Sequence, residues 1–279
     1  MRAASDGREG RQLDAWRDAW LGTRVGRVSR RRVAASVSAG LLALALGCAH
    51  APSRKDRESS EIHYQLGAEA LQAGRREDAL REFDEALRFD DHDAVAHLGK
   101  GLALQVFGRV QDAEREYRRA IELKPDLSDA HNALGQLLAT TGRLEEAVHE
   151  FDLALGNMLY REAYVARCNK GQALYQLGRR DEGLAELKAC VAQAPRYCHG
   201  QRELGSVQLE AGRIKEAIEA FGRYAESCDK LPDAWYQLGL ARMKAGDRDG
   251  AREAFGKCQG IGGDDPVVEE CRLKVRALQ

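Results

Sequence analysis

The stretch SDAHNALGQLLATTGRLEEAVHEFDLAL (residues 128–155) holds, in one copy, the pattern that decides the fold of this chain. It contains two glycines seven residues apart, Gly135 and Gly142, followed by Ala147 and Phe151. A glycine inside a helix costs about 1 kcal/mol relative to alanine, so Gly135 predicts close contact with a second helix. Gly142 is typical of the left-handed residue that ends a helix. Ala147 lets the second helix approach and Phe151 fills the wedge, so the stretch predicts two packed, antiparallel helices.

This pattern recurs six times. The turn glycine returns at intervals of 34, 34, 36, 34 and 34 residues, at Gly74, Gly108, Gly142, Gly178, Gly212 and Gly246. The helix glycine returns with it, at Gly67, Gly101, Gly135, Gly171, Gly205 and Gly239. The small residue follows at Ala79, Ala113, Ala147, Gly183, Ala217 and Ala251, and the large one at Phe83, Tyr117, Phe151, Leu187, Phe221 and Phe255. A period of 34 residues is that of the tetratricopeptide (TPR) helix–turn–helix, which this sequence resembles.

The resemblance implies an all-α, right-handed TPR superhelix of six repeats. The predicted repeats are 60–93, 94–127, 128–163, 164–197, 198–231 and 232–265. Residues 266–279 have apolar residues at helical spacing and predict a C-terminal helix that covers the last repeat. Two local departures stand out: Lys100 lies where an apolar residue is usual, and Gly183 with Leu187 is expected to weaken the fourth repeat.

Charge is distributed unevenly along the chain. The formal net charge is -1, but residues 1–32 contain nine arginines and four acidic residues, while residues 48–279 carry a net charge of −6. A mildly acidic repeat region argues against nucleic acid as a partner.

The N-terminal segment has the pattern of a secreted lipoprotein. Residues 33–46 are apolar or small and follow three arginines, which is typical of a signal peptide and too short for a membrane helix. The segment ends in Ala45-Leu46-Gly47-Cys48, which resembles a bacterial lipobox. We expect residues 1–47 to be the signal peptide, cleavage between Gly47 and Cys48, and a lipid on Cys48. The alternative is a core helix followed by an unrelated cysteine.

Three further expectations follow for this region. Residues 48–59 are polar and predict a flexible tether. Ala49, which is not aspartate, resembles the sorting signal for the outer membrane, on the side that faces the periplasm. The stretch before Arg30 is long for a signal peptide, so translation is expected to start near residues 25–28; mapping the N-terminus of an unprocessed precursor tests this.

Six further cysteines lie in the second half of the chain, at Cys168, Cys190, Cys198, Cys228, Cys258 and Cys271. An even number in an oxidising compartment suggests disulfides. Early positions of the first helix of a repeat face late positions of the second, which predicts the pairs 168–190, 198–228 and 258–271. The alternative is that some are free, buried thiols.

No catalytic, cofactor or metal site is predicted. The chain has no Gly-x-Ser-x-Gly, His-Glu-x-x-His or phosphate-loop motif and no Cys-x-x-Cys pair. His63, His97 and His131 recur at the fourth position of the first three repeats, where a packing role is expected. A line of metal sites is the alternative, but successive repeats lie too far apart to share one ion.

A partner-binding groove is predicted on the inner face of the first two repeats. In TPR folds the first helices line the concave face, with positions 2, 5, 9 and 13 directed into it. In this sequence the apolar groove residues are Tyr64, Leu71, Val95, Leu98, Leu102 and Val106. Exposed, contiguous apolar surface usually marks a binding site. The alternative is a locally rotated register that makes the stripe part of the core. Later repeats predict a polar inner face, at Asn132, Gln136, Gln172, Tyr175, Tyr236 and Lys244.

The single 36-residue interval adds two residues after the third repeat, in a segment that contains Leu159 and Tyr160. Six repeats, a lipobox and a Leu-Tyr insertion after the third repeat resemble the type IV pilus lipoproteins of the PilF/PilW and Tgl family. The resemblance implies a non-enzymatic pilotin that binds secretin subunits and promotes their assembly in the outer membrane. The alternatives are a periplasmic TPR adaptor for another envelope complex and a regulatory subunit of an envelope hydrolase.

Overall fold

The fold is a series of consecutive α-helices. A computed structural model describes residues 51–279, and within this range the regular structure is entirely helical, as the sequence predicted. The helices are α1 (Arg54–Gln72), α2 (Arg76–Phe89), α3 (Ala94–Val106), α4 (Val110–Leu123), α5 (Ser128–Thr140), α6 (Leu144–Gly156), α7 (Ala163–Gln176), α8 (Arg180–Gln193), α9 (Cys198–Glu210), α10 (Ile214–Ser227), α11 (Pro232–Lys244), α12 (Arg248–Ile261) and α13 (Pro266–Ala277). The described residues form one compact unit on their own.

The helices are arranged in six antiparallel pairs, from α1 with α2 to α11 with α12, and each pair packs against the next. The first helices α3, α5, α9 and α11 begin at the predicted repeat boundaries, and α7 begins one residue early. Successive first helices from α1 to α9 contact one another, whereas successive second helices make no comparable contact within the described range. The first helices therefore line the inner side of the array.

An aromatic ring packs directly on a helix glycine in five of the six repeats. A Cβ atom on Gly135 would lie 2.6 Å from the ring of Phe151, and one on Gly101 would lie 2.5 Å from the ring of Tyr117. The same contact joins Gly67 to Phe83, Gly205 to Phe221 and Gly239 to Phe255. These rings are fully buried. Any larger side chain at the glycine would displace the ring, which explains why the helices tolerate a residue of poor helix propensity here.

The fourth repeat, in which Gly183 and Leu187 depart from the usual pattern, uses a closer helix contact. A Cβ atom on Gly183 would lie 2.6 Å from the carbonyl oxygen of Gly171 and 2.7 Å from the backbone nitrogen of Tyr175. Leu187 takes the place of the ring and is fully buried. Here the two backbones touch, because neither side of the contact carries a side chain.

The turn glycines have the conformation that the sequence predicted. Gly142 has φ +80°, in the left-handed region. The backbone N–H of Gly142 donates to the carbonyl of Ala139 at 3.1 Å, and that of Arg143 donates to Leu138 at 2.9 Å. These bonds satisfy carbonyl groups at the end of α5, which has no following turn to supply donors.

Three disulfides join the pairs that the repeat geometry predicted. The Cα–Cα distances are 5.4 Å for Cys168–Cys190, 6.1 Å for Cys198–Cys228 and 6.1 Å for Cys258–Cys271. The first joins α7 to α8, and Gly200 of α9 packs on it, since a Cβ atom there would lie 2.8 Å from the sulfur of Cys168. The third attaches α13, whose Val268 is fully buried, to the last repeat.

The first helix begins at Arg54, six residues before the predicted repeat, so the tether predicted for residues 48–59 is helical in its second half. A capping box explains this start. The backbone N–H of Asp56 donates to the hydroxyl of Ser53 at 3.1 Å, and the N–H of Ser53 donates to the carboxylate of Asp56 at 2.9 Å. Both bonds satisfy backbone donors at the helix N-terminus.

The predicted signal peptide, the lipid site at Cys48 and the earlier part of the tether lie outside the described residues. Among the described helices, none combines the length and hydropathy that a membrane span needs.

The backbone contact in the fourth repeat gives a prediction about stability. We expect Gly183→Ala to lower the free energy of unfolding by about 1–3 kcal/mol, because the added methyl group meets backbone atoms that cannot move aside. The matched control is Gly256→Ala in α12, where a Cβ atom meets nothing within 4 Å. This control variant should raise the free energy of unfolding by up to about 1 kcal/mol, because alanine has a higher helix propensity than glycine. Denaturant unfolding followed by circular dichroism measures both, and equal effects would refute the contact.

Candidate partner-binding groove

The apolar part of the inner face lies on the last two turns of α3. Leu102 is 38% exposed and Val106 is 44% exposed, although both are large apolar residues. Tyr64 and Leu71 of α1 and Val95 of α3 are half-buried. Five of the six predicted groove residues are therefore at least partly accessible. The neighbouring Phe107, which the sequence analysis missed, is 38% exposed.

Leu98 does not line the groove. It is only 8% exposed and packs in the core with Leu134 and Leu137. The assignment of Leu98 to the groove is therefore wrong, and a charge at this position would be buried in the core. The physical reason is that α3 and α5 contact each other, which covers the fifth position of α3.

Lys100 does not indicate a rotated register. Its ammonium group bonds the carboxylates of Asp84 and Glu116, both at 3.0 Å. Burial lowers the pKa of Lys100, but these hydrogen bonds outweigh it and raise the pKa above its usual range. The lysine thereby bridges the second helix of its own repeat and that of the preceding repeat, at a position that is leucine in four of the six repeats.

The same bridge recurs two repeats later. The ammonium group of Lys170 bonds Asp152 and Glu186, both at 2.8 Å, and Arg167 donates to Glu186 at 3.1 Å. Burial of an unpaired charge would destabilise the fold, and these ion pairs offset that cost for Lys170 and Glu186.

The later part of the inner face is polar. An open depression of about 340 Å³ is lined by residues of the first helices α3, α5, α7 and α9 together with Phe151 of α6. The Asn169 amide donates to the Asn132 side chain at 3.0 Å, and the Gln172 amide donates to Glu203 at 2.9 Å. Gln136 also lines it. These side chains offer amide donors and acceptors to a bound chain.

Four residues of this polar surface were missed by the sequence analysis: Gln105, Asn169, His199 and Glu203. Asn169 and Glu203 occupy the sixth position of their repeats, which the expected 2-5-9-13 pattern omits. Burial lowers the pKa of His199, which favours the neutral imidazole beside Glu203. Of the predicted polar residues, Tyr175 is 9% exposed and belongs mainly to the core, while Tyr236 is half-buried and Lys244 exposed.

The insertion between α6 and α7 presents Met158 and Leu159 to solvent, 98% and 87% exposed. Asn157 holds its turn, because its side-chain oxygen accepts the backbone N–H of Leu159 at 3.0 Å. The hydroxyl of Tyr160 is buried near Asp129. Burial is the larger cause that raises the pKa of Tyr160, and the negative charge of Asp129 is the next. Leu159 is therefore exposed to solvent, whereas the hydroxyl of the adjacent Tyr160 is buried.

The recurring histidines bond within their own repeats. Nδ1 of His63, His97 and His131 lies 2.8, 2.6 and 2.7 Å from a glutamate of the second helix. In His131 the other ring nitrogen lies 3.0 Å from the carbonyl oxygen of Pro125. Both neighbours are acceptors, so both ring nitrogens of His131 donate and the ring is an imidazolium. These contacts give the histidines a structural role.

One group of possible cation ligands lies in the described part of the chain, at Asp90, Asp91 and His92. Asp90 is 8% exposed, and its carboxylate accepts the backbone N–H of His92 at 3.0 Å. This bond explains Asp90 as a turn residue.

Comparison with known families gives matches along most of the helical array. A tetratricopeptide repeat model matches residues 64–128, 98–157 and 168–234, and a second such model matches residues 233–260. The chain belongs to the tetratricopeptide repeat family. Proteins of this family are protein-interaction scaffolds, a fold that is typically non-catalytic. No curated protein matches the chain by sequence.

Solved structures with the same fold include two type IV pilus proteins. The crystal structure of PilW, described as a widely conserved type IV pilus biogenesis factor, has a TM-score of 0.69 and 24% identity, covering 76% of this chain and 97% of that one. PilF of Pseudomonas aeruginosa has a TM-score of 0.67 and 19% identity, covering 79% and 100%. Cut9, in the Cut9–Hcn1 assembly of the APC/C, has a TM-score of 0.66 and 13% identity, covering 79% and 43%. At these sequence identities the similarity establishes that the chains share a fold.

The imidazolium of His131 predicts a pH dependence of stability. Burial lowers the pKa of His131, but the bonds to Glu150 and the Pro125 carbonyl outweigh it and raise the pKa. The stabilisation is then complete below about pH 6.5, the unfolded value, and is lost as the pH rises through the folded value. The test variant is His131→Gln, because Gln201 occupies the same repeat position and donates to the Pro195 carbonyl at 3.0 Å.

We expect the wild type to lose more stability than His131→Gln between pH 6 and pH 8.5, measured by denaturant unfolding. Subtracting the free energy of unfolding of one chain from that of the other removes the contribution of the titrating groups that both chains share. Parallel stability curves across this range would contradict the charged state of His131.

Proposed function

We propose that this protein is a lipid-anchored scaffold of the cell envelope that binds secretin subunits and promotes their assembly for a type IV pilus. The observation that carries the proposal is the exposed apolar pair Leu102 and Val106 on the inner face of a TPR array. Exposed apolar surface on the inner face of such an array fits the apolar side of a partner segment. The shared fold with two type IV pilus proteins and the Leu159-Tyr160 insertion support the choice of partner.

The proposal does not require an enzyme. Among the described residues, the ionisable groups of the inner face are satisfied by neighbours, as Glu203 is by Gln172 and by Arg202 at 2.8 Å. Such an arrangement is suited to recognition. A catalytic acid or base needs a group that is free to exchange protons with a substrate.

The lipid at Cys48 would place the groove near its partner. Five residues lie between Cys48 and the start of α1 at Arg54, so the array would begin within about 20 Å of the anchor. Confinement near the membrane raises the effective concentration of the groove, so a modest affinity is sufficient for assembly.

The groove is tested with Val106→Glu. We expect this variant to fold normally but to lose heat- and detergent-resistant secretin multimers from outer-membrane fractions, while secretin monomer persists. The matched control is Leu153→Glu in α6, because Leu153 has the same exposed fraction of 44% but lies on a second helix, away from the inner face. It should leave the multimers intact.

Three outcomes decide between the proposals. Loss of multimers in Val106→Glu alone supports the groove. Loss of multimers in the gene deletion but not in Val106→Glu supports the scaffold role and contradicts the assignment of the groove. Multimers that persist in the deletion refute the pilus role and favour an adaptor of another envelope complex.

The anchor is tested separately with Cys48→Ser. We expect the wild type to incorporate radioactive palmitate and the variant to remain unlabelled and uncleaved, as measured by labelling and intact mass. Cys271→Ser is the control, because it removes a different cysteine and should keep the label. A wild-type chain without label would overturn the anchor.

A further inference from the structure

The outer face of α1 carries two exposed apolar residues that no described element covers. Ile62 is 57% exposed and Leu66, one turn later, is 45% exposed. They occupy the third and seventh positions of the first repeat. This face is directed away from α2 and α3, so it is separate from the groove.

The same positions are covered in later repeats. At the seventh position, Leu134, Leu204 and Leu238 are 2%, 6% and 3% exposed, because a preceding repeat packs on each. In the second and fourth repeats this position is a half-buried lysine, Lys100 or Lys170, whose ammonium group bonds two carboxylates. At the other end of the array α13 covers the last repeat, with Val268 fully buried. The N-terminal end therefore keeps an apolar helix face that the rest of the fold consistently covers.

Ile62 distinguishes this face from an ordinary repeat interface. The third position of every later repeat is a small residue, at Ala96, Ala130, Ala166, Gly200 and Ala234. A branched side chain holds a neighbouring helix farther away than alanine or glycine does. The face thus fits a helix that packs at a wider spacing than a stacked TPR repeat.

The charges of this face are arranged symmetrically about Ile62. Lys55 lies seven residues before it and Glu69 seven residues after it, and both are exposed. Seven residues are close to two helical turns, so all three side chains share one side of α1. Neither Lys55 nor Glu69 forms an ion pair with a described residue.

We propose that two copies of this chain form a two-fold dimer by packing their α1 helices antiparallel, with the two Ile62 side chains at the centre. A two-fold axis through Ile62 sets Lys55 of each copy opposite Glu69 of the other, so that these charges are complementary. The same axis sets Leu66 opposite the aliphatic stem of Glu58, whose carboxylate bonds Arg54 of its own helix at 2.8 Å.

The basic residues Arg54, Lys55 and Arg57 of α1 are balanced by Glu58, Glu61 and Glu69, so the face offers no net positive charge to an anionic membrane. The dimer is independent of the secretin proposal and leaves both grooves open.

The first test measures the mass of residues 51–279, with the disulfides intact, by sedimentation velocity. We expect a concentration-dependent dimer, and we expect Ile62→Glu to be monomeric up to about 100 µM. The matched control is Leu273→Glu in α13, since Leu273 is 50% exposed at the opposite end of the array. It should dimerise as the wild type does. A monomeric wild type at about 100 µM, or a dimer lost only in Leu273→Glu, overturns the proposal.

The second test uses charge exchange between copies. Lys55→Glu alone and Glu69→Lys alone should each weaken the dimer roughly tenfold, because two attractive pairs become repulsive. An equimolar mixture of the two variants should dimerise again, since each mixed dimer contains two opposite-charge pairs. Changes confined to one chain cannot produce this recovery. A mixture no stronger than either variant alone would refute the Lys55–Glu69 contact and with it the antiparallel register.

Vesicles of phosphatidylethanolamine and phosphatidylglycerol distinguish a membrane from a second copy. The proposal expects no flotation of residues 51–279 with such vesicles. Flotation that Ile62→Glu abolishes, together with a monomeric wild type, would assign the face to the membrane and overturn the dimer.

Discussion

The contact between a helix glycine and a buried ring is the constraint on which the rest of the array depends. The ring of Phe151 occupies the space that a side chain on Gly135 would need, and this sets the spacing of α5 and α6. Repetition of one contact gives successive pairs similar geometry. Because the spacing recurs, the first helices come into contact and form a continuous inner side, while the second helices diverge outside. The groove is a consequence of a packing rule that holds in five of the six repeats, and no single residue creates it.

Two different reinforcements act on this framework. In the first four repeats, polar side chains at the fourth position bond a glutamate of the second helix, as His97 does with Glu116 and Arg167 with Glu186. In the fifth and sixth repeats alanine replaces that glutamate, at Ala220 and Ala254. The three disulfides lie in the fourth repeat and beyond it. Only the fourth repeat has both a disulfide and a bond from its fourth position to that glutamate. Ion pairs weaken with salt, whereas disulfides respond to reductant, so the two halves of the array are stabilised by separate means.

Periodicity made most of the fold predictable from the sequence. Once repeat positions are assigned, the helix boundaries, the turn glycines and the spatial closeness of Cys168 and Cys190 follow, because a position fixes both the helix and its facing partner. What could not be predicted depends on how neighbouring repeats curve. Leu98 is covered by α5, while Leu102 on the next turn is open, and sequence position alone does not reveal this difference. The role of Gly183 is hidden for a related reason, since it allows a contact between two backbones that the sequence does not display.

The inner face changes its chemistry along the array, and this restricts what can bind it. Around Leu102 and Val106 it is apolar, and a helix can bury its apolar side there because its backbone groups are satisfied internally. Around Asn169 and Gln172 it offers amide groups, which suit an extended chain whose own backbone groups need partners. A single segment spanning both parts would have to be helical at one end and extended at the other. The apolar part can therefore be mutated without disturbing the polar network, since no hydrogen bond in the described structure links Val106 to Asn169 or Gln172.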